Sequence, residues 1–215
     1  MATLSLIAEQ VELSDQLRAS RSTMNEPQDL PGRFGRVIRD VNRVLAATNA
    51  TAVLAGGWAV WWHGYAERVT QDVDIVLPED QIADFIRTAE LAGFQVLAIP
   101  AGRWPKVQHR ETDITVDILP EGKQPGTQTK MAPTLIRHPD QMGGTAARLT
   151  YVSFPALIEL KLAAGRPKDE VDVIELVRTN PDRIDEARGH LAQIHAAYLA
   201  RFDELVALSR EDHSR

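Results

Sequence analysis

Residues 72–77 read Asp-Val-Asp-Ile-Val-Leu. Because successive side chains of a strand point to opposite faces, the two aspartates share one face, and Val73, Ile75 and Leu77 share the other. The apolar face can pack on a core, while the polar face brings two carboxylates close together. Their repulsion favours a cation between them. Asp oxygens suit Mg²⁺, which takes one or two protein carboxylates and fills its remaining positions with water and substrate phosphates.

A pair of glycines, Gly56-Gly57, precedes this strand and follows a short apolar segment at residues 52–55. Glycine lets backbone approach a ligand closely, and a helix beginning there offers free N–H groups to a phosphate. The two features together predict a magnesium–nucleotide site. With 16 Asp in the chain, an Asp-x-Asp pair also arises about once by chance, so a solvated strand edge is the alternative interpretation.

A third carboxylate lies in residues 114–119, Ile-Thr-Val-Asp-Ile-Leu, which alternate in the same way. If this strand neighbours the first, Asp117 joins Asp72 and Asp74. Three carboxylates can hold two divalent ions and activate a hydroxyl as general base, as in-line nucleotidyl transfer requires. Asp113 has the same parity as Asp117 and is the rival candidate.

Charged residues also mark two predicted helices in the C-terminal part. Lys161 shares a helical face with Phe154, Leu157 and Ile158, so it either reaches the surface along its aliphatic stem or directs its charge at a triphosphate. Asp169 and Asp172 begin the next helix on the face that continues into apolar residues. Acids in the first turn also favour the helix dipole, so a plain capping role is the alternative.

These motifs carry a family resemblance. The run Gly56-Gly57-Trp58 … Arg68-x-Thr70-x-Asp72-x-Asp74 resembles the motifs of the nucleotidyltransferase (polymerase-β-like) superfamily. The run Lys161 … Arg166-Pro167-Lys168-Asp169-x-x-Asp172 resembles the helical motif of its AbiEii-like branch, known as abortive-infection and toxin–antitoxin nucleotidyltransferases. The glycine motif also resembles the aminoglycoside and lincosamide nucleotidyltransferases. The resemblance covers roughly residues 34–180.

The resemblance implies an enzyme that moves NMP from an NTP to a hydroxyl, with tRNA or another RNA as the leading acceptor, an antibiotic as the alternative, and a cognate antitoxin as a partner. It implies that Asp72 and Asp74 hold Mg²⁺, or Mn²⁺, and that Asp169 or Asp172 supports catalysis. With Asp117 from the strand alternation completing the metal site, the predicted catalytic residues are the three aspartates, Lys161 and Asp169. The implied nucleotide-binding residues are Gly56, Gly57, Arg68, Thr70, Lys161 and Asp172. Gly57 departs from the family, because many members carry serine there and bind phosphate through its hydroxyl.

The order of predicted elements indicates an α/β (α+β) fold, in which a small mixed sheet flanked by helices precedes a C-terminal helical domain. We expect an N-terminal helix and linker in residues 1–30, a nucleotidyltransferase domain in 31–150 and the helical domain in 151–215. Residues 120–148 read as a long irregular excursion, and residues 184–208 as one helix with His195 on its core face. Further helices are predicted at residues 34–45, 79–92, 153–164 and 167–178, and further strands at 94–99 and 106–110.

Composition restricts the class of protein. A net charge of −6 argues against a general nucleic-acid-coating protein, although residues 101–150 hold seven Lys and Arg against five Asp and Glu. The absence of cysteine and of a long apolar run predicts a cytoplasmic protein without a membrane span. A non-catalytic nucleotide-binding module and a structural protein with a chance Asp-x-Asp are the other function classes.

Overall fold

The computed structural model describes residues 24–98, 103–127, 130–143 and 147–211, so the helix predicted near the N-terminus lies outside the described residues. Its helices are α1 (Gly32–Ala47), α2 (Gly56–Trp62), α3 (Ile82–Leu91), α4 (Phe154–Ala164), α5 (Pro167–Thr179), α6 (Ile184–Ile194) and α7 (Ala196–Glu211). Its strands are β1 (Ala52–Ala55), β2 (Asp72–Leu77), β3 (Phe94–Val96), β4 (Lys106–His109), β5 (Thr115–Pro120), β6 (Gly126–Thr127), β7 (Lys130–Met131) and β8 (Leu149–Tyr151).

Six of these strands form one mixed sheet in the order β3-β4-β5-β2-β1-β8, and β6 pairs with β7 in a separate ribbon. The pairs β2–β5 and β1–β8 are parallel, whereas β1–β2, β3–β4 and β4–β5 are antiparallel. The mixed α/β fold with a helical C-terminal part is therefore confirmed. The two central strands run in the same direction, which brings the start of β2 beside the start of β5.

The core lies on the face of the sheet that carries Val73, Val107 and Val116, all fully buried. Helix α1 packs on this face, because His109 at the end of β4 places its Nε2 3.1 Å from Asp40 Oδ2 of α1. On the opposite face, the first half of β2 carries the half-buried side chains of Asp72 and Asp74. The second half of β2 is buried on both faces, since Val76 is fully buried too. The polar face is therefore confined to the start of β2.

Three sequence expectations change in the structure. Residues 149–151 form β8, which was not predicted because three residues are too short to show alternation. The single helix predicted over 184–208 is two helices, since His195 adopts an extended conformation (φ −164°, ψ 133°) between α6 and α7. His195 is exposed rather than in the core. The Trp58 and Trp61 side chains, by contrast, are buried.

The ends of the predicted domains fall within packed structure. Met24 and Leu30, in the predicted linker, are buried against the core. The boundary expected at residue 150 lies inside β8, which pairs with β1. The division into three segments stays a prediction. Within the described part of the chain, every helix is too short or too polar to cross a membrane.

Candidate functional site

The strand register brings the three predicted carboxylates together. Asp74 of β2 lies directly opposite Asp117 of β5, and Lys106 of β4 lies opposite Asp117 on its other side. Asp72 is two residues before Asp74 and therefore lies on the same face. We call Asp72, Asp74 and Asp117 the carboxylate cluster. It lies at the open, polar half of the sheet face.

Two members of the cluster already have partners. Lys106 Nζ donates to Asp117 Oδ2 at 2.6 Å, and Thr70 Oγ1 donates to Asp72 Oδ1 at 2.9 Å. Asp117 Oδ1, in contrast, is buried without a hydrogen-bond partner. A buried carboxylate oxygen without a donor is costly, so it marks a position where a ligand atom or a proton donor would be stabilised.

Asp74 has the least compensated charge of the cluster. Burial, and then the negative charges of Asp72 and Asp117, raise the pKa of Asp74 from an ordinary 3.8 to about 7, while Lys161 and Arg166 oppose the rise. A raised carboxylate pKa means that the charged form is disfavoured. An added cation would stabilise that charged form. The cluster therefore has the electrostatics of a cation site.

The glycine turn borders the cluster directly. Gly56 has φ +61°, and a Cβ atom there would lie 1.7 Å from Asp74 Oδ2. A Cβ at Gly57 would lie 2.5 Å from Thr70 Oγ1. The Thr70 side chain thus occupies the space next to Gly57. In many members of the family that the sequence resembles, a serine side chain stands at this position. Both glycines are required for close approach of the backbone to the site.

Charged side chains of α4, α5 and the segment before β2 form an ion-pair network next to the cluster. Lys161, only 6% exposed, donates to Asp172 Oδ2 at 2.6 Å and to Asp169 Oδ1 at 3.2 Å. Arg68 Nε donates to Asp172 Oδ1 at 2.7 Å, and Arg166 Nε to Asp169 Oδ2 at 2.6 Å. We call these five residues the ion-pair network.

The network balances its buried charges. Burial alone would raise the pKa of Asp169, but the hydrogen bond from Arg166 and the charge of Lys161 outweigh it, and the pKa falls below its usual value. Because Lys161 and Arg166 also lower the pKa of Asp74, the positive charge of the network extends to the cluster. The network is therefore a source of positive potential beside three acids.

The structure brings most of the predicted site residues together. Lys161 does not reach the surface along its stem, and it binds Asp169 and Asp172 directly. Asp113, the rival of Asp117, lies in the β4–β5 turn with φ +58°, outside β5. Lys106 was not predicted as a site residue. The alternation of Lys106 and Gln108 with Val107 and His109 was the signal that could have placed it on the polar face.

The carboxylate oxygens of the cluster are ligands that suit Mg²⁺, although the three side chains are not arranged around one metal position. Within the described residues, no three His, Cys, Asp or Glu side chains are arranged to hold a metal ion. Lys106 and Thr70 engage one oxygen each of Asp117 and Asp72. Hard carboxylate oxygens, the unpartnered Asp117 Oδ1 and the mutual repulsion at Asp74 all suit a small divalent cation.

Comparison with known proteins finds solved structures that match at low sequence identity. No protein-family model and no curated protein matches the chain. ANT(2'')-Ia in complex with adenylyl-2''-tobramycin is 17% identical with a TM-score of 0.43, over 83% of this chain and 97% of that one. The CdnE cyclic dinucleotide synthase of Elizabethkingia meningoseptica, solved with GTP and Apcpp, is 16% identical with a TM-score of 0.34, over 78% and 67%. JHP933 from Helicobacter pylori is 12% identical with a TM-score of 0.34, over 83% and 90%.

Proposed function

We propose that the protein is a Mg²⁺-dependent nucleotidyltransferase that moves NMP from an NTP to a hydroxyl. The observation that carries this proposal is the register of β2 and β5, which places Asp74 beside Asp117 on the face that also holds Asp72. In-line transfer between two oxygens requires charge neutralisation and positioning more than covalent chemistry by the protein. A carboxylate cluster beside a positive network supplies both.

Each residue of the site has a distinct role in the proposed reaction. Asp72 and Asp74 would hold the metal, which supplies neutralisation of the triphosphate and of the departing pyrophosphate. Asp117 Oδ1 would accept the proton of the acceptor hydroxyl. The hydroxyl oxygen then bonds to the α-phosphorus while the bond to pyrophosphate breaks. Gly56 and Gly57 allow the triphosphate to approach the backbone, and the network of Lys161 supplies positive charge next to it.

The acceptor and the biological setting belong to the same proposal. The helical Lys161 … Asp169-x-x-Asp172 motif supports the AbiEii-like branch, and with it an RNA acceptor, a toxin–antitoxin setting and a cytoplasmic location. An aminoglycoside or lincosamide acceptor is the alternative that the Gly-Gly-Trp motif supports. A direct assay of acceptors separates the two.

The test is transfer of α-³²P label from each of the four NTPs, with Mg²⁺, onto total tRNA and onto an aminoglycoside–lincosamide panel. The Asp72→Asn/Asp74→Asn protein should lose all transfer. A matched control is Asp80→Asn/Asp84→Asn, which removes the same two charges from exposed positions and should keep full activity.

Binding of Mg–NTP is measured by calorimetry alongside the transfer assay. Binding that requires Asp72 and Asp74, with label on an acceptor, supports the enzyme. Binding with no label on any acceptor would favour a non-catalytic nucleotide-binding module. Unchanged NTP binding and unchanged transfer in the doubly substituted protein would refute the proposed site.

A further inference from the structure

Lys106 flanks the carboxylate cluster from the strand on the far side of Asp117. In the strand register, Lys106 of β4 lies opposite Asp117 of β5, and Asp117 lies opposite Asp74 of β2. Lys106 Nζ donates to Asp117 Oδ2 at 2.6 Å, and the two side chains are 38% and 21% exposed. A charge-assisted bond between partly buried groups is stronger than a neutral one. Asp117 therefore has a cation of its own before any metal is added.

The other two acids of the cluster have different surroundings. Asp72 accepts a hydrogen bond from the neutral hydroxyl of Thr70. The positive charges that lower the pKa of Asp74 belong to Lys161 and Arg166, which are bound to the aspartates of the ion-pair network. Even so, the pKa of Asp74 stays well above its usual value. The negative charge that a cation can stabilise is therefore concentrated at Asp72 and Asp74.

A metal ion bound to Asp117 would come close to the Lys106 ammonium. Mg²⁺ binds oxygen at about 2.1 Å, so an ion on Oδ2 would lie within about 5 Å of Lys106 Nζ. Positive charges at this separation repel each other. The second oxygen, Oδ1, is buried without a hydrogen-bond partner, and in the described part of the chain no three acids are arranged to hold one metal ion. Oδ1 is thus free to accept the proton of a hydroxyl while Oδ2 stays bound to Lys106.

The formal charges of the site lead to the same conclusion. The three carboxylates of the cluster and the Lys106 ammonium together carry two negative charges, which one divalent cation neutralises. The neighbouring network holds three cations, Lys161, Arg68 and Arg166, against two acids. A second divalent cation would therefore leave the whole site strongly positive until a triphosphate binds.

We propose that Lys106 takes the place of a second metal ion at Asp117. Without nucleotide, the protein then binds one divalent cation, at Asp72 and Asp74, and Asp117 is a base positioned by Lys106 rather than a metal ligand. This inference rests on the proposed function and deepens it. It differs from the prediction that all three aspartates hold the metal, and it makes Lys106 a positioning residue of the site.

The number of bound cations tests this role without turnover. The probe is Mn²⁺, titrated into the full chain without nucleotide and followed by electron paramagnetic resonance, which measures free Mn²⁺. The wild-type protein should bind one Mn²⁺. Lys106→Met removes the ammonium, so a second Mn²⁺ should bind at Asp117, about tenfold more tightly than any second ion binds to the wild type. Lys106→Arg keeps the positive charge and should again bind a single ion.

The matched control is Lys123→Met. Lys123 forms an ion pair with Glu79 beyond the other end of β2, so its substitution also removes one charge and one ion pair. This variant should still bind one Mn²⁺. A second ion bound equally tightly by Lys106→Met and Lys123→Met would assign the effect to net charge and overturn the inference.

A charge-neutral substitution separates a base from a metal ligand. Lys106→Met/Asp117→Asn removes both charges of the pair together, so the net charge of the site is kept. Neither charge is left unpaired, so this variant also serves where Lys106→Met alone fails to fold. Its affinity for the single Mn²⁺ should stay within about twofold of the wild type. Transfer, in contrast, should be lost together with the base.

The Mn²⁺ counts can contradict the role of Lys106 directly. Two Mn²⁺ on the wild type, only one on Lys106→Met, or a loss of affinity of about tenfold or more in the charge-neutral variant would overturn the inference. The Asp72→Asn/Asp74→Asn protein tests the proposed function separately. If it binds Mn²⁺ as the wild type does, the cation site is misplaced and both proposals fail. If it loses Mn²⁺ binding, the two aspartates hold the cation, and a failure of the Lys106 variants counts against this inference alone.

Discussion

Two groups of aspartates, one half-buried and one buried, lie side by side in this protein and have opposite electrostatics. In the ion-pair network, Asp169 and Asp172 each accept from two cationic side chains. In the carboxylate cluster, Lys106 bonds directly to one of the three acids, Asp117. Accordingly the pKa of Asp169 is lowered, whereas the pKa of Asp74 is raised to about 7.

The difference separates a stabilising arrangement from one prepared for a ligand. A balanced network can hold α4, α5 and Arg68 together and fix positive charge in space without any addition. An unbalanced cluster retains electrostatic repulsion that a bound cation would relieve. Strongly perturbed pKa values such as that of Asp74 cluster at functional sites, which supports a ligand site at the carboxylate cluster.

The largest effect should come from breaking the network at its centre. Lys161→Met leaves Asp169 and Asp172 buried with less compensation, so we expect the free energy of unfolding to fall by about 3–5 kcal/mol. Urea denaturation followed by tryptophan fluorescence measures this. Lys168→Met is the control, since Lys168 is exposed on α5 and its loss should cost less than about 0.5 kcal/mol. Equal midpoints for the two variants would mean that the network does not stabilise the fold.

A second substitution tests the close approach between the glycine turn and the cluster. Gly56→Ala places a Cβ against the Asp74 carboxylate and also strains a left-handed backbone, so we expect a loss of about 2–4 kcal/mol and of nucleotide binding.

Gly32→Ala is the matched control for that substitution. Gly32 has nearly the same φ, +64°, but no atom lies within 4 Å of its added Cβ. It therefore reports the backbone strain alone, about 1–2 kcal/mol. If the two variants lose equal stability and both bind nucleotide, the contact between Gly56 and Asp74 has no role in the site.

Much of this arrangement could be predicted from the sequence because it follows local periodicity. The alternation in residues 72–77 gave the strand, its bounds and the face of both aspartates, and the alternation around Asp117 gave the third acid. The sequence did not decide whether β2 pairs with β5, because the neighbours of a strand depend on contacts between distant parts of the chain. Strand β8 was missed for the same reason, because its only signal is its pairing with β1.

The remaining differences are also three-dimensional. The helical spacing of apolar residues continues from Leu191 to Tyr198, so the sequence pattern gives no sign of the break between the two helices at His195. Glycine at position 57 predicts the loss of a phosphate-binding hydroxyl. In the structure, the Thr70 side chain occupies that space and donates to Asp72. Whether Lys161 reached the surface or a ligand could not be decided until α5 was seen to present two aspartates to it.

The most discriminating test makes the same isosteric change in both groups. Asp74→Asn removes a disfavoured charge, so we expect the free energy of unfolding to rise by about 2 kcal/mol near pH 8. Asp169→Asn removes a carboxylate that Arg166 and Lys161 both bind, so we expect a fall of about 2 kcal/mol at the same pH. Chemical denaturation at several pH values measures both, with the exposed Asp84→Asn as reference.

The pH dependence should have opposite signs for the two residues. The pKa of Asp74 is higher in the folded than in the unfolded chain, so its penalty is complete above about pH 7 and fades toward about pH 4. The gain from Asp74→Asn should fade over the same range. The pKa of Asp169 is lowered, so its contribution is present above the unfolded pKa and is lost as the pH falls through the folded pKa. A stability loss for Asp74→Asn near pH 8 would show that the cluster is already balanced without a metal, and the reason for placing a cation there would disappear.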